Sequence, residues 1–289
     1  MKKVIIFILA VLTFACTNEN KFTVEGNIEG AEEQKVYFKH KGVSEITVLD
    51  SASLDGDGGF KFSGTVEYPR FYNIALDDQF ATLLVKPGED VIFHANADNF
   101  YDYTVEGSPG SKHVKKLQNR LRNTKSKLDS LDRIYDKIKD DPNAQDKITE
   151  LDKTYRNILN RQRDSSISFI INNMGSLASI MALYQKVNED TYVLYKNTDL
   201  QYIKLVADSL VEKYPQSRHV KSLLANKEDL MKKFKNLELQ QAINKYGTSS
   251  NYPNIKLPNL QGDSISLQSL NEKMILLSFW ASWSKPSIQ

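Results

Sequence analysis

The chain has 289 residues, of which 40% are hydrophobic and 26% charged, with 1 cysteine and a formal net charge of +2. That length allows two domains, the composition is that of ordinary globular material, and one cysteine excludes an intrachain disulfide framework. The small net charge conceals an asymmetry, since residues 16–107 hold 7 Lys/Arg against 17 Asp/Glu and residues 108–289 hold 29 against 19. Solvated helix faces account for the basic part better than contact with nucleic acid does.

Met1-Lys2-Lys3 and the apolar run Val4 to Leu12 precede Thr13-Phe14-Ala15-Cys16. This is the order of a secretory signal peptide over residues 1–15, and the run is too short to span a bilayer. The cysteine after a small residue resembles the bacterial lipobox, although Thr13 and Phe14 stand where the usual box has leucine and a small residue. The resemblance implies acylation of Cys16, a tether over residues 16–21, and a membrane partner reached through that lipid. Thr17 rather than an acidic residue follows, which points to the outer membrane more than the inner. An exported chain meets no nucleic acid.

Residues 22–110 are expected to form a β-domain. Phe22, Val24 and Ile28 alternate around Gly26, Lys35 to Lys39 is a second run, and Glu45 to Leu49 a third. Asp55-Gly56-Asp57-Gly58-Gly59 then leads into Phe60 and Phe62, which predicts a hairpin. Further strands are expected at Arg70 to Leu76, Ala81 to Val85, Val91 to Ala95 and Tyr103 to Glu106, with a turn at Lys86-Pro87-Gly88-Glu89. Seven or eight short strands make a small β-sandwich or barrel.

From Ser111 the period changes. Val114, Leu117, Leu121, Thr124, Leu128, Leu131, Tyr135 and Ile138 repeat at spacings of 3 and 4. After Asp140-Asp141-Pro142-Asn143 the spacing resumes in Ile148, Leu151, Tyr155, Ile158, Gln162, Ser165, Phe169 and Asn172. Heptads on both sides of a short break predict an antiparallel coiled-coil hairpin. Helices are expected at Ser176 to Lys186, Asp199 to Tyr214 and Ser217 to Tyr246, with Ser217 capping the last. The helical domain so defined covers residues 111–246, and its apolar faces are expected to pack on one another. The fold class is α+β.

Residues 247–289 begin with Tyr252 to Pro258, a turn at Gln261-Gly262-Asp263 and Ile265 to Leu270. The unbroken apolar run Met274 to Phe279 follows, of the kind shown by a strand buried on both faces. Trp280-Ala281-Ser282-Trp283-Ser284-Lys285-Pro286-Ser287 comes next. This segment resembles the active-site turn of thioredoxin-like thiol-disulfide oxidoreductases of the cell envelope, in which Phe-Trp-Ala-Ser-Trp leads into Cys-x-Pro-Cys. Asp50-Ser51-Ala52, Gly59 to Gly64 and Val105 to Ser108 are similar to an uncharacterised β-domain that precedes such domains in bacterial lipoproteins. The resemblance implies a thioredoxin-like domain of which residues 247–289 are only the start. Ser284 and Ser287 stand at the cysteine positions, flanked by Trp280, Trp283 and Pro286. Disulfide exchange needs a thiolate to attack and a second thiol to resolve, so no catalytic residue and no cofactor is expected.

Elsewhere, Asp55-x-Asp57 suits a hairpin turn better than a calcium loop. His40, His94, His113 and His219 have no paired metal-ligand spacing and are expected in surface or packing roles, so no metal is expected. Asn99 to Tyr103 is read as a strand edge or a loop packing onto the sheet. The function expected is that of a non-catalytic envelope lipoprotein that binds or scaffolds an unknown envelope partner. The alternative is a truncated or disrupted form of an oxidoreductase active only in its full-length relatives.

Overall fold

Alternation of apolar and polar residues builds eight strands, and the change to a helical period at Ser108 turns the chain into a helical layer behind them. A computed structural model describes residues 20–229, 255–259, 261–266 and 269. The strands are β1 (Lys21–Glu29), β2 (Lys35–Lys41), β3 (Ile46–Ser53), β4 (Gly59–Thr65), β5 (Arg70–Leu76), β6 (Gln79–Val85), β7 (Asp90–Asn96) and β8 (Thr104–Glu106). They form two four-stranded sheets, ordered β4-β1-β7-β8 and β3-β2-β5-β6. All neighbours are antiparallel except β1 and β7, which run parallel.

The inner faces meet in one core. Phe22 and Val24 of β1, Phe62 of β4 and Phe93 of β7 oppose Phe38 of β2, Tyr72 and Ile74 of β5 and Leu83 of β6. Phe38 stacks on Phe62 at 5.2 Å and on Tyr72 at 4.8 Å, joining the two sheets at their centre. Offset stacking at such distances adds to the burial of apolar area. The sheet-rich N-terminal part of an α+β fold is therefore present.

The predicted hairpin across Asp55–Gly59 is not one. β3 pairs with β2 and β4 pairs with β1, so this turn carries the chain from one sheet to the other. Alternation fixes which face of a strand is apolar but not which neighbour it takes. The turn itself is as expected: Asp55 Oδ1 accepts from the N–H groups of Asp57 (3.0 Å) and Gly59 (2.6 Å), and Gly58 adopts φ +72°.

β5 and β6 are buried on both faces. Tyr72 and Ile74 point into the sandwich, while Phe71 and Leu84 point the other way into a second apolar cluster with Val114, Leu117, Phe169 and Leu210. That cluster belongs to α1 (Pro109–Ile138), α2 (Gln145–Asn172), α3 (Ala178–Leu183) and α4 (Leu200–Lys213). Helical residues 218–229 follow and add Val220 and Leu223. The helices thus pack on the back of the sheet as well as on one another, which corrects the expectation of a self-contained helical core.

The junction between layers is specific. Ser108 is the N-cap of α1 and accepts from the Ser111 N–H at 3.2 Å, with Pro109 in the first turn where its missing N–H costs nothing. Ser111 Oγ accepts from the Leu84 N–H at 3.1 Å, and Ser108 Oγ donates to the Leu84 carbonyl at 3.0 Å. At Leu84 the open edge of β6 is therefore satisfied by hydroxyls rather than left to pair with another chain.

α1 and α2 pack against one another on either side of a break at residues 139–144. The seam is buried near the sheet (Val114, Leu117, Thr124, Leu128) and becomes exposed toward the tip, where Tyr135 is 46% exposed. In α2 the buried positions are Gln162, Ser166, Phe169 and Ile170, not Ser165 and Asn172. A straight helix drifts about 20° per heptad from a strict seam; near the sheet α2 follows its own 3.6-residue period into a broader core. α3 is shorter than expected. Ser217 Oγ is buried and has no hydrogen-bond partner among the described residues, so Ser217 occupies the start of the last helix without its hydroxyl serving as the cap.

In the separate unit Met231–Gln289, β9 (Lys256–Pro258) and β10 (Ser264–Ser266) pair as a short antiparallel hairpin. Its turn repeats the bonding of Asp55–Gly59: Asn259 Oδ1 accepts from Gln261 (2.9 Å) and Asp263 (2.8 Å), and Gly262 has φ +89°.

Candidate functional site

Cys16, Trp280, Trp283, Ser284, Pro286 and Ser287 lie outside the described residues, as does Met274 to Phe279. The signal-peptide segment, residues 1–15, and most of the tether lie outside them too.

What the structure does assemble is a cleft where three connections converge. β2 ends in His40 and Lys41; the link from β2 to β3 folds back through a bond from the Gly42 N–H to the Glu45 carbonyl at 2.9 Å. Tyr68 and Arg70 enter β5, and helical residues 218–229 supply Arg218, His219 and Ser222. These groups line a cavity of about 480 Å³. Gly42, Val43, His219 and Ser222 also line a second cavity of about 500 Å³, so the two adjoin. The second is walled by Phe71, Ile180, Met181, Tyr184 and Leu223, with Lys41 at its side.

Each polar group has an identifiable anchor. The Arg70 guanidinium lies over the Tyr68 ring at 4.9 Å and donates to its hydroxyl at 3.5 Å. Arg218 is 3.9 Å from Glu45, both largely exposed, a pair worth little in solvent. His219 packs edge-on to Phe71 at 5.2 Å, and His40 lies 5.9 Å from Tyr72. Burial holds His40 below the usual histidine pKa, with Arg70 and Arg218 acting in the same sense and Glu45 against them. His219 is lowered by burial first and then by His40 and Lys41, while a hydrogen bond with the Gly42 backbone opposes the shift. Burial alone lowers Lys41.

The histidines expected to be scattered therefore divide. His40 and His219, far apart in sequence, share one cavity. His113 packs edge-on to Phe169 at 5.4 Å, a packing role as expected, and His94 contacts Asn27 on the surface. Phe100 and Tyr103 enter the sandwich core from a short 3-10 helix, Ala97–Asp102, so that segment does pack onto the sheet. Among the described residues no three of His, Cys, Asp and Glu converge as a metal site would require. Arg70, Tyr68 and Arg218 were missed from sequence because nothing in their spacing links β5 to a helix nearly 150 positions later.

Residues 22–114 match the family model of DUF4369, a domain of unknown function. The match covers less than half of the chain and ends in the first turns of α1, so it includes the Ser108–Ser111 junction. No curated protein matches the chain. His40, Glu45, Tyr68 and Arg70 fall inside the matched region and Arg218, His219 and Ser222 outside it. The cleft is thus half domain and half helices beyond the match, and the match does not extend to Trp280–Ser287.

Proposed function

We propose that the chain is a non-catalytic binding protein of the cell envelope, held at the membrane, more readily the outer than the inner, by a lipid on Cys16, with the cleft as its ligand site. The observation that carries the binding role is the pair of adjoining cavities between the sandwich and the helices, one bordered by Arg70, Arg218 and Glu45 and the other walled in part by Phe71, Ile180, Met181 and Leu223, since concave sites with a few convergent polar groups are typical of small-molecule binding. The non-catalytic half of the reading rests on the residues Ser284 and Ser287. A serine hydroxyl in either position supplies neither the attacking nor the resolving thiolate of disulfide exchange. The likeness of Trp280–Ser287 to thioredoxin-like oxidoreductases makes the chain, on this reading, a redox-inactive relative of them.

Methyl-labelled methionine gives a direct test, because Met181 lines the second cavity of the cleft. A small-molecule extract of the envelope should shift the Met181 methyl resonance and the ring resonances of His40 and His219 together. The protein should also fail to reduce a model disulfide above the rate without protein. An extract that moves none of these resonances, or measurable disulfide turnover, refutes the proposal.

A further inference from the structure

We propose that the cleft takes an amphipathic small molecule, an oxyanion head on an apolar body. The proposal deepens the reading of the cleft as a binding site and rests on it. Arg70 and Lys41 are both half-buried, and neither forms an ion pair among the described residues; the Arg70 guanidinium lies over the Tyr68 ring and donates to its hydroxyl. Together the two cavities are bordered by Arg70, Arg218, Lys41 and Lys186 against one acid, Glu45, which is exposed and faces Arg218. Cations withdrawn from water without a counter-charge are unfavourable, and an oxyanion is the partner the site lacks. A guanidinium already held over Tyr68 presents its remaining N–H groups with little further ordering, which suits carboxylate or phosphate.

The body is set by the other cavity. Phe71, Ile180, Met181 and Leu223 offer an apolar wall, and most of the polar groups there are engaged. Asn226 donates to the Tyr184 hydroxyl at 3.3 Å, Gln185 to the Leu117 carbonyl at 3.0 Å, and Lys186 to the Glu189 carbonyl at 2.8 Å. An apolar body placed there leaves the bonds of Asn226, Gln185 and Lys186 in place; Arg70 borders the first cavity, Lys41 the second, and Gly42 and His219 both, so a head at that shared border lies between the two cations.

The test is titration calorimetry on the full chain carrying Cys16→Ser, with decanoate, decyl phosphate, decanol and acetate, each below its micelle-forming concentration. Decanoate or decyl phosphate should bind saturably at one site, and decanol and acetate at least about tenfold more weakly. The better of the two anions identifies the head. Arg70→Gln and Lys41→Gln should each weaken anion binding by about tenfold or more while leaving the melting curve cooperative. Met181 and His219 resonances should report the same site. Equal affinity for decanol that still shifts Met181 would overturn the anionic head and leave the cleft as a binding site. If no probe binds, or if both variants bind decanoate at full strength, the proposal fails, and the extract experiment then decides separately whether the cleft is a site at all.

Discussion

Thr124 Oγ1 donates a 2.9 Å hydrogen bond to Gln162 Oε1 across the helical hairpin, at two polar positions of the seam where α1 and α2 are buried. The chain of bonds continues. Gln162 Nε2 donates to Gln185 Oε1 at 3.2 Å, and Gln185 Nε2 donates to the Leu117 carbonyl at 3.0 Å. Buried amides are tolerated when their bonds are made and costly when one is removed. Thr124→Val should destabilise the protein by about 1–3 kcal/mol, because Gln162 Oε1 loses its donor. Combining it with Gln162→Leu should cost less than the sum of the single changes, a coupling on the order of 1 kcal/mol. Strict additivity in urea unfolding would show that the bond does not matter.

Gly26 faces Phe93 across the parallel β1–β7 pair, and a Cβ built there would lie 1.6 Å from the Phe93 carbonyl oxygen. Backbone cannot swing aside as a side chain can, so the strands would have to part. Gly26→Ala is expected to cost more than about 3 kcal/mol or to prevent folding. Gly56→Ala is the control: nothing lies within 4 Å of the added atom, and stability should change by less than about 0.5 kcal/mol. Similar denaturation midpoints for the two variants would contradict the packing of β1 on β7.

Acid should weaken the fold before carboxylates begin to titrate in bulk. His40 and His219 both have folded pKa values below the ordinary histidine value of about 6.5, so the unfolded chain binds more protons than the folded one near that pH. Stability is then complete above the unfolded pKa and is lost as pH falls through the folded values. The groups facing them are Arg70, Arg218, Lys41 and Glu45, three cations and one acid, which agrees in sign with the shift. Melting temperature should be level from about pH 8 to 7 and decline below about pH 6.5. The variant with His40→Asn and His219→Asn should show a shallower decline. An unchanged slope would place the acid sensitivity elsewhere.

Labelled palmitate supplied to a Gram-negative host should enter the protein, and the protein should sediment with membranes. Cys16→Ala should remove both properties, since acyl chains on that residue are the only anchor proposed. Equal labelling and sedimentation of the variant would falsify the lipid anchor.

The sequence by itself determined the local order. Alternation around Phe22–Ile28 and Phe60–Phe62 located strands, and the 3-and-4 spacing from Val114 to Ile138 located a helix with the right partner. Asp55 to Gly59 and Gln261-Gly262-Asp263 marked turns, because a side-chain oxygen and a left-handed glycine act within five residues. All of these depend on interactions between near neighbours in the chain.

Tertiary structure decided what neighbours cannot. Whether β4 pairs with β3 or β1 depends on which sheet buries Phe60 and Phe62, a choice made by Phe38 and Tyr72 across the core. The shift from Ser165 to Ser166 in α2 depends on how broad the surface beneath it is. The cleft depends on Arg70 and His40 from the sandwich meeting Arg218 and His219 from a later helix. No spacing in a single sequence records that encounter, because it is produced by the packing of Phe71 and Leu84 against the helices rather than by any pattern within either segment.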